Sequence, residues 1–165
     1  VIPSRRSSCS ARSRGKDASS RDWSPHNDRS SCGHSGPSAS LRCWKGLVRI
    51  AWAAGDDQNF WWPVNGGYWP PGAPRALTMA AFIAAYGTRG YQPCADGSFE
   101  PSLEKVAIYE GMENGVIAPT HAARQLADGC WASKMGRNVG IEHHGLEAVA
   151  GGLYGQAVVY VSRPR

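Results

Sequence analysis

Residues 120–135 read Thr-His-Ala-Ala-Arg-Gln-Leu-Ala-Asp-Gly-Cys-Trp-Ala-Ser-Lys-Met. Two extended-type runs, Thr120 to Leu126 and Trp131 to Met135, flank Ala127-Asp128-Gly129-Cys130. Asp-Gly between such runs signals a β-hairpin. On a strand, His121, Ala123 and Gln125 face one way, and Ala122, Arg124 and Leu126 the other. A histidine with small alanines on its face has room above it, as a general base needs. Without a partner it is an ordinary strand residue. Ser133 and Lys134 lie across the hairpin. They are positioned to orient a base at His121, or else form a solvated strand face.

Outward from the hairpin, the downstream chain is strand-like. Val139 to Glu142 is a short extended piece, Leu146 to Val149 one helical turn, and Gln156 to Ser162 the clearest strand. Upstream, Lys105 to Glu110 is a strand, and Gly90 to Cys94 is a short extended segment. Pro74 to Tyr86 is a helix, apolar almost all round, with Pro74 near its first turn. Leu47 to Gly55 places Leu47, Ile50 and Ala54 at helical spacing, with Gly55 as its stop. Two helices followed by antiparallel strands define an α+β domain, with short helices packed on one sheet.

Between the helices runs Asn59-Phe-Trp-Trp-Pro-Val-Asn-Gly-Gly-Tyr-Trp-Pro-Pro-Gly-Ala-Pro74. Prolines and the Asn65-Gly66-Gly67 turn rule out regular structure. Such a loop is expected to fold Trp61, Trp62, Tyr68 and Trp69 over the core. The alternative is a ligand-binding loop that stacks on sugars or bases.

Residues 1–46 differ from the rest. Stretches such as Ser-Ser-Cys-Gly-His-Ser-Gly-Pro-Ser-Ala-Ser are polar, and aliphatic residues are nearly absent between Ile2 and Leu41. Such a segment cannot offset its ordering entropy by burial, so it is expected to be a disordered tail, with the domain over 47–165. Up to residue 49, ten Lys/Arg face three acids, a net +7; the remainder carries eight against ten, a net −2. The basic character thus belongs to the tail. The tail allows only weak electrostatic contact with RNA or another anion, and the domain has no charge reason to seek one. No run of eighteen apolar residues occurs, so no membrane span is expected. The start of the chain lacks the apolar stretch of a secretory signal.

Five cysteines, Cys9, Cys32, Cys43, Cys94 and Cys130, include no CxxC pair. They do not form a disulfide framework, and a reducing cytoplasm and a monomer are the expectation. Glu142-His143-His144 is the only acid/His cluster of the domain. Adjacent histidines on a strand point to opposite faces, so they do not chelate one ion together. No metal and no cofactor is expected. The glycine-rich segments Gly66-Gly-Tyr-Trp-Pro-Pro-Gly72 and Gly111-Met-Glu-Asn-Gly115 lack the strand–loop–helix setting of a phosphate loop.

From Ile50 onward the chain resembles an uncharacterised bacterial family of small domains. The resemblance rests on Ile50-Ala-Trp-Ala-Ala-Gly-Asp56, Phe60-Trp-Trp-Pro63, Gly67-Tyr-Trp-Pro-Pro-Gly72, Gly90-Tyr91 and Glu104-Lys-Val-Ala-Ile-Tyr109. It continues through Thr120-His-Ala-Ala-Arg-Gln125, Trp131 with Ser133-Lys134, Ile141-Glu-His143 and Leu153-Tyr-Gly155. The family commonly enters its first helix as Asn-Cys-Ile-Ala-Trp-Ala. A cysteine there, with a histidine opening a later strand, resembles the papain-like or NlpC-like cysteine-hydrolase plan. In this chain the cysteine position is Arg49, preceded by Val48. The resemblance implies a hydrolase-like domain without its nucleophile and without activity. His121 would be the surviving base, with Gln125, Ser133 and Lys134 near it. The likeness begins where the Ser/Arg/Pro composition stops, so residues 1–49 are also read as an out-of-frame or misassigned start. The remaining readings are a partner-binding module using the Trp-rich loop and an anion- or RNA-binding protein using the tail.

Overall fold

A computed structural model describes residues 48–64, 66–135 and 139–165. The basic tail and the side chain of Arg49 lie outside the described residues. The described residues form two helices and six strands. These are α1 (Val48–Ala53), α2 (Met79–Gly87), β1 (Gln92–Cys94), β2 (Leu103–Glu113), β3 (Val116–Gln125), β4 (Trp131–Met135), β5 (Val139–His143) and β6 (Gln156–Pro164). A 3₁₀ turn, Leu146–Val149, precedes β6. The six strands make one antiparallel sheet in the order β1-β6-β2-β3-β4-β5. The α+β plan with one sheet is therefore present.

The sheet is built on β2 and β3. Their connection is Asn114-Gly115, both with positive φ (52° and 81°). Two left-handed residues in a two-residue turn match the right-handed twist of the flanking strands. The β3–β4 connection is the Asp128-Gly129 hairpin, with Gly129 at φ 88° and Leu126 N–H donating to the Cys130 carbonyl at 2.7 Å.

β3 is covered on both sides. Ala122 belongs to a core shared with Ile50, Ala53, Trp61, Phe82, Tyr86 and Val161. Ala123 belongs to a second cluster with Ala107, Tyr109, Trp131 and Val149. Alternation along the strand assigns the helices to the Ala122 face. Arg124, on that same face, places its guanidinium 4.5 Å from the Trp52 ring centre of α1.

The second helix starts later than its apolar pattern predicts. Thr78 has extended backbone angles and its hydroxyl accepts from Ala81 N–H at 3.4 Å. This N-cap fixes the first helical residue at Met79, and Pro74 to Leu77 are irregular. Tyr86 then donates its hydroxyl to the Ile50 carbonyl at 2.8 Å, tying α2 to α1 inside the core.

The Trp-rich loop is packed rather than presented. Trp61, Trp62 and Trp69 are buried. Trp62 and Trp69 meet Phe82 edge to face, and Trp61 meets Tyr86 the same way. Only Tyr68, 39% exposed, faces outward. Of the four aromatics considered for ligand stacking, three have no free ring face to offer.

The loop is anchored by the buried Asp56 carboxylate just beyond α1. It accepts from Trp61 Nε1 at 2.9 Å, Asn59 N at 3.0 Å, Gln58 N at 3.2 Å and Arg89 Nη2 at 2.7 Å. Burial pushes its acidity toward the neutral form. The hydrogen bonds from Trp61, Asn59 and Gln58 outweigh that and hold its pKa below 3.8. Replacing Asp56 with Ala strands the buried indole N–H and is expected to cost about 2–3 kcal/mol of stability in urea denaturation. A loss below roughly 0.5 kcal/mol, the range of an exposed ion pair, would contradict this anchoring role.

Candidate functional site

The face of the sheet away from the helices carries a line of polar side chains in an apolar surround. Ser133 on β4 stands opposite Ala123 on β3 and Ile141 on β5. His121 and His143 are the diagonal neighbours on that face, within reach of a long side chain. His121 Nε2 lies 3.0 Å from Ser133 Oγ, and Ser133 Oγ lies 2.9 Å from His143 Nε2. His143 Nδ1 lies 2.7 Å from the Gly145 carbonyl oxygen. His121 and Ser133 are fully buried and His143 is 8% exposed.

The carbonyl orders the hydrogens. It can only accept, so His143 carries its proton on Nδ1 and its neutral Nε2 accepts from the serine hydroxyl. The hydroxyl's single proton is then committed. His121 must therefore donate Nε2–H to Ser133 Oγ, and these tautomers are assigned from geometry. Burial, the largest influence, pulls the His143 pKa below 6.5, against smaller opposing effects of the Gly145 carbonyl and Glu147. His143 is thus a neutral acceptor at pH 7.

Aromatic rings frame the relay. Tyr109, opposite His121 in register, meets it edge to face at 5.1 Å between ring centres. Tyr154 stacks on it at 4.7 Å and 28°. Beside His121 the ladder is irregular: Tyr109 pairs with His121 but Glu110 pairs with Pro119, leaving Thr120 as an extra residue. Such a bulge re-aims local side chains and recurs beside functional sites. Thr120 uses its hydroxyl to bind the Tyr154 carbonyl at 2.6 Å.

Of the residues singled out in the sequence, His121 and Ser133 come together. Gln125 shares their face but points to the far end, its Nε2 donating to the Gly97 carbonyl at 2.9 Å. Lys134 follows Ser133 on the strand and projects to the opposite face. His143 joins the relay, whereas Glu142 faces the other side and His144 is exposed. No group of three or more His, Cys, Asp and Glu suited to a metal ion occurs among the described residues. Cys94 is a free thiol, and Cys130 is disulfide-bonded, a bond its spacing does not signal.

The pairing implied by the papain-like resemblance falls on the side chain of Arg49, which lies outside the described residues. α1 packs on the Ala122 face, and the His121 ring lies on the other with Tyr109, Ser133 and Tyr154.

An α+β domain with a buried Ser–His–His relay on the sheet face away from its helices is the class that this geometry defines. A family model described as a domain of unknown function, DUF7689, matches residues 49–162, and the chain belongs to that family. No curated protein matches the chain, and no solved structure does. No helix among the described residues is long and apolar enough to cross a membrane.

Stability should follow the protonation of His143. Its folded pKa is lowered, so the folded state resists protonation that the unfolded chain accepts near pH 6.5. The contribution of neutral His143 is full above pH 6.5 and declines as pH falls from 6.5 through the lowered folded value. Denaturation midpoints measured at pH 7.5, 6.5 and 5.5 should show this decline, and His143→Asn should flatten it. An equal decline in that variant would assign the acid sensitivity elsewhere.

Proposed function

We propose that this domain is a serine-dependent acyl hydrolase, with Ser133 as nucleophile and His143 as its general base. The observation that carries the reading is the chain Ser133 Oγ–His143 Nε2 at 2.9 Å and His143 Nδ1–Gly145 O at 2.7 Å. A nucleophile hydrogen-bonded to a base, with the base oriented by a third group, is the general signature of an activated hydroxyl. The Gly145 carbonyl takes the orienting place usually held by a carboxylate and fixes the productive tautomer.

In this reading Ser133 attacks an acyl carbonyl as its proton passes to His143 Nε2. The resulting imidazolium keeps its Nδ1–H on the Gly145 carbonyl, with Glu147 nearby to stabilise the charge. It then protonates the leaving alkoxide. His121 Nε2–H, 3.0 Å from the same oxygen, lowers the energy of the developing serine oxyanion. Water, activated by neutral His143, releases the acyl group and restores the hydroxyl. The reading replaces the cysteine-hydrolase plan, since Arg49 supplies no thiol and α1 lies across the sheet from His121. It also differs from the expectation of an inactive remnant. A partner-binding role for the Trp-rich loop has only Tyr68 to support it.

Incubation of the full chain with a fluorophosphonate probe, followed by peptide mass spectrometry, tests the proposal. Covalent labelling at Ser133 is expected, abolished in Ser133→Ala and reduced at least a hundredfold in His143→Gln. Labelling should rise with pH along a curve centred below pH 6.5, because protonated His143 cannot accept the proton. An unlabelled Ser133 in the folded chain at pH 8 would leave the relay a purely structural network.

A further inference from the structure

The proposed nucleophile is fully covered in this structure, so a hydrolase requires a way in. Residues 145–155 lie over the relay as a strap. Three of the hydrogen bonds to them come from residues of the site, the first at the strap's fixed N-terminal end. His143 Nδ1 binds the Gly145 carbonyl, Tyr109 donates its hydroxyl to the Leu146 carbonyl at 2.8 Å, and Thr120 donates to the Tyr154 carbonyl at 2.6 Å. The half-buried Tyr154 ring lies flat on His121, with Leu153 at the crown 82% exposed. Gly151, Gly152 and Gly155 all have positive φ, at 90°, 47° and 71°, which lets the turn fold back on itself. The turn is closed by Gly151 N–H to the Gly155 carbonyl at 2.6 Å. Gly155 also packs directly on the Glu110–Gly111 backbone, where a Cβ would collide with the Glu110 carbonyl. The strap therefore has a firm C-terminal pivot and a few breakable bonds along its length.

What lies beneath is apolar. The face around Ser133 is made by Ala123, Trp131, Met135 and Ile141, with Val149 from the strap itself. Among the described residues the Glu147 carboxylate acts on His143 through its charge, and it repels an anionic substrate. An acyl group admitted there would exchange water for aromatic and aliphatic surface.

We infer that residues 146–154 are a lid pivoting at Gly155 with Tyr154 as its latch on His121, and that lifting it, with the Gly145 carbonyl staying on His143, admits an uncharged, apolar acyl group to Ser133. The inference rests on the serine-hydrolase reading, but the lid is tested separately from the chemistry. Opening is local, since it breaks the Tyr154 stack and the Tyr109–Leu146 and Thr120–Tyr154 hydrogen bonds while the sheet and the His143–Gly145 bond stay intact.

Diethyl pyrocarbonate modification of the full chain, followed residue by residue by mass spectrometry, measures access to His121. The exposed His144 serves as internal reference. Tyr154→Ala is expected to raise the His121 modification rate at least tenfold relative to His144, and Tyr154→Phe, which keeps the stack, to leave it unchanged. In the unmodified chain, amides of residues 148–155 should exchange with deuterium at least tenfold faster than those of β2 and β3. A lid is overturned if His121 stays as protected in a folded Tyr154→Ala chain as in the parent. It is equally overturned if the strap amides exchange only at the rate of the central strands. For the acyl class, p-nitrophenyl butyrate should be cleaved at least tenfold faster than the succinate half-ester of equal chain length, and equal rates would overturn that part. If His121 becomes accessible while Ser133 takes no fluorophosphonate, the lid stands and the hydrolase reading falls.

Discussion

One strand with both faces buried governs the architecture: in β3, His121 and Ala122 are neighbours that must point to opposite sides of the sheet. Ala122 enters the aromatic core with α1, α2 and the Trp-rich loop. His121 enters the polar line on the other face. A shift of one residue in register would exchange the two, driving an imidazole into the aromatic core and an alanine into the relay. The Asn114-Gly115 and Asp128-Gly129 turns hold that register from either end. The extra residue at Thr120 adjusts the ladder only beyond His121.

The relay is polar machinery in an apolar setting, and its geometry shows how that is tolerated. A buried hydroxyl or imidazole is costly unless its hydrogen bonds are made. Ser133 donates to one histidine and accepts from the other, and His143 spends its remaining donor on the Gly145 carbonyl. Each hydrogen thus has one acceptor, and their direction runs from His121 through Ser133 to His143. The same ordering makes the hydroxyl proton ready to leave toward His143. Structural satisfaction and chemical readiness are therefore the same arrangement, and covalent labelling rather than stability separates them.

Much of the sheet was legible because its signals are local. Asp128-Gly129 marks the β3–β4 hairpin, and Gln156 to Ser162 read as strand at sight. Asn114-Gly115 carries an equally strong turn signal, yet Gly111–Gly115 reads as a glycine-rich loop when considered only for phosphate binding. The full lengths of β2 and β3 escape with it. The start of α2 depends on the Thr78 hydroxyl, which outweighs the apolar pattern running back to Pro74. For the site, alternation brought His121 and Ser133 near each other. His143 is weighed in the sequence only for metal binding and set aside, because its role requires the β4–β5 register that sets it diagonal to Ser133. Tyr109 and Tyr154 frame the site through long-range packing, for which the sequence carries no local sign. The family resemblance singled out His121 and Ser133, which the fold brings together, but a motif does not say on which side of a sheet a helix will lie.

The central claim is that Ser133 is held between two histidines of opposite role, His121 donating Nε2–H to its oxygen and neutral His143 accepting its proton on Nε2. Long-range proton–nitrogen correlation spectra of the uniformly ¹⁵N-labelled chain at pH 7.5 read those proton positions directly. The account predicts a protonated Nδ1 with an unprotonated Nε2 for His143, and a protonated Nε2 for His121. In Ser133→Ala the His121 and His143 Nε2 shifts should both move while His144 stays. A protonated Nε2 on neutral His143, or histidine signals indifferent to Ser133, would contradict it.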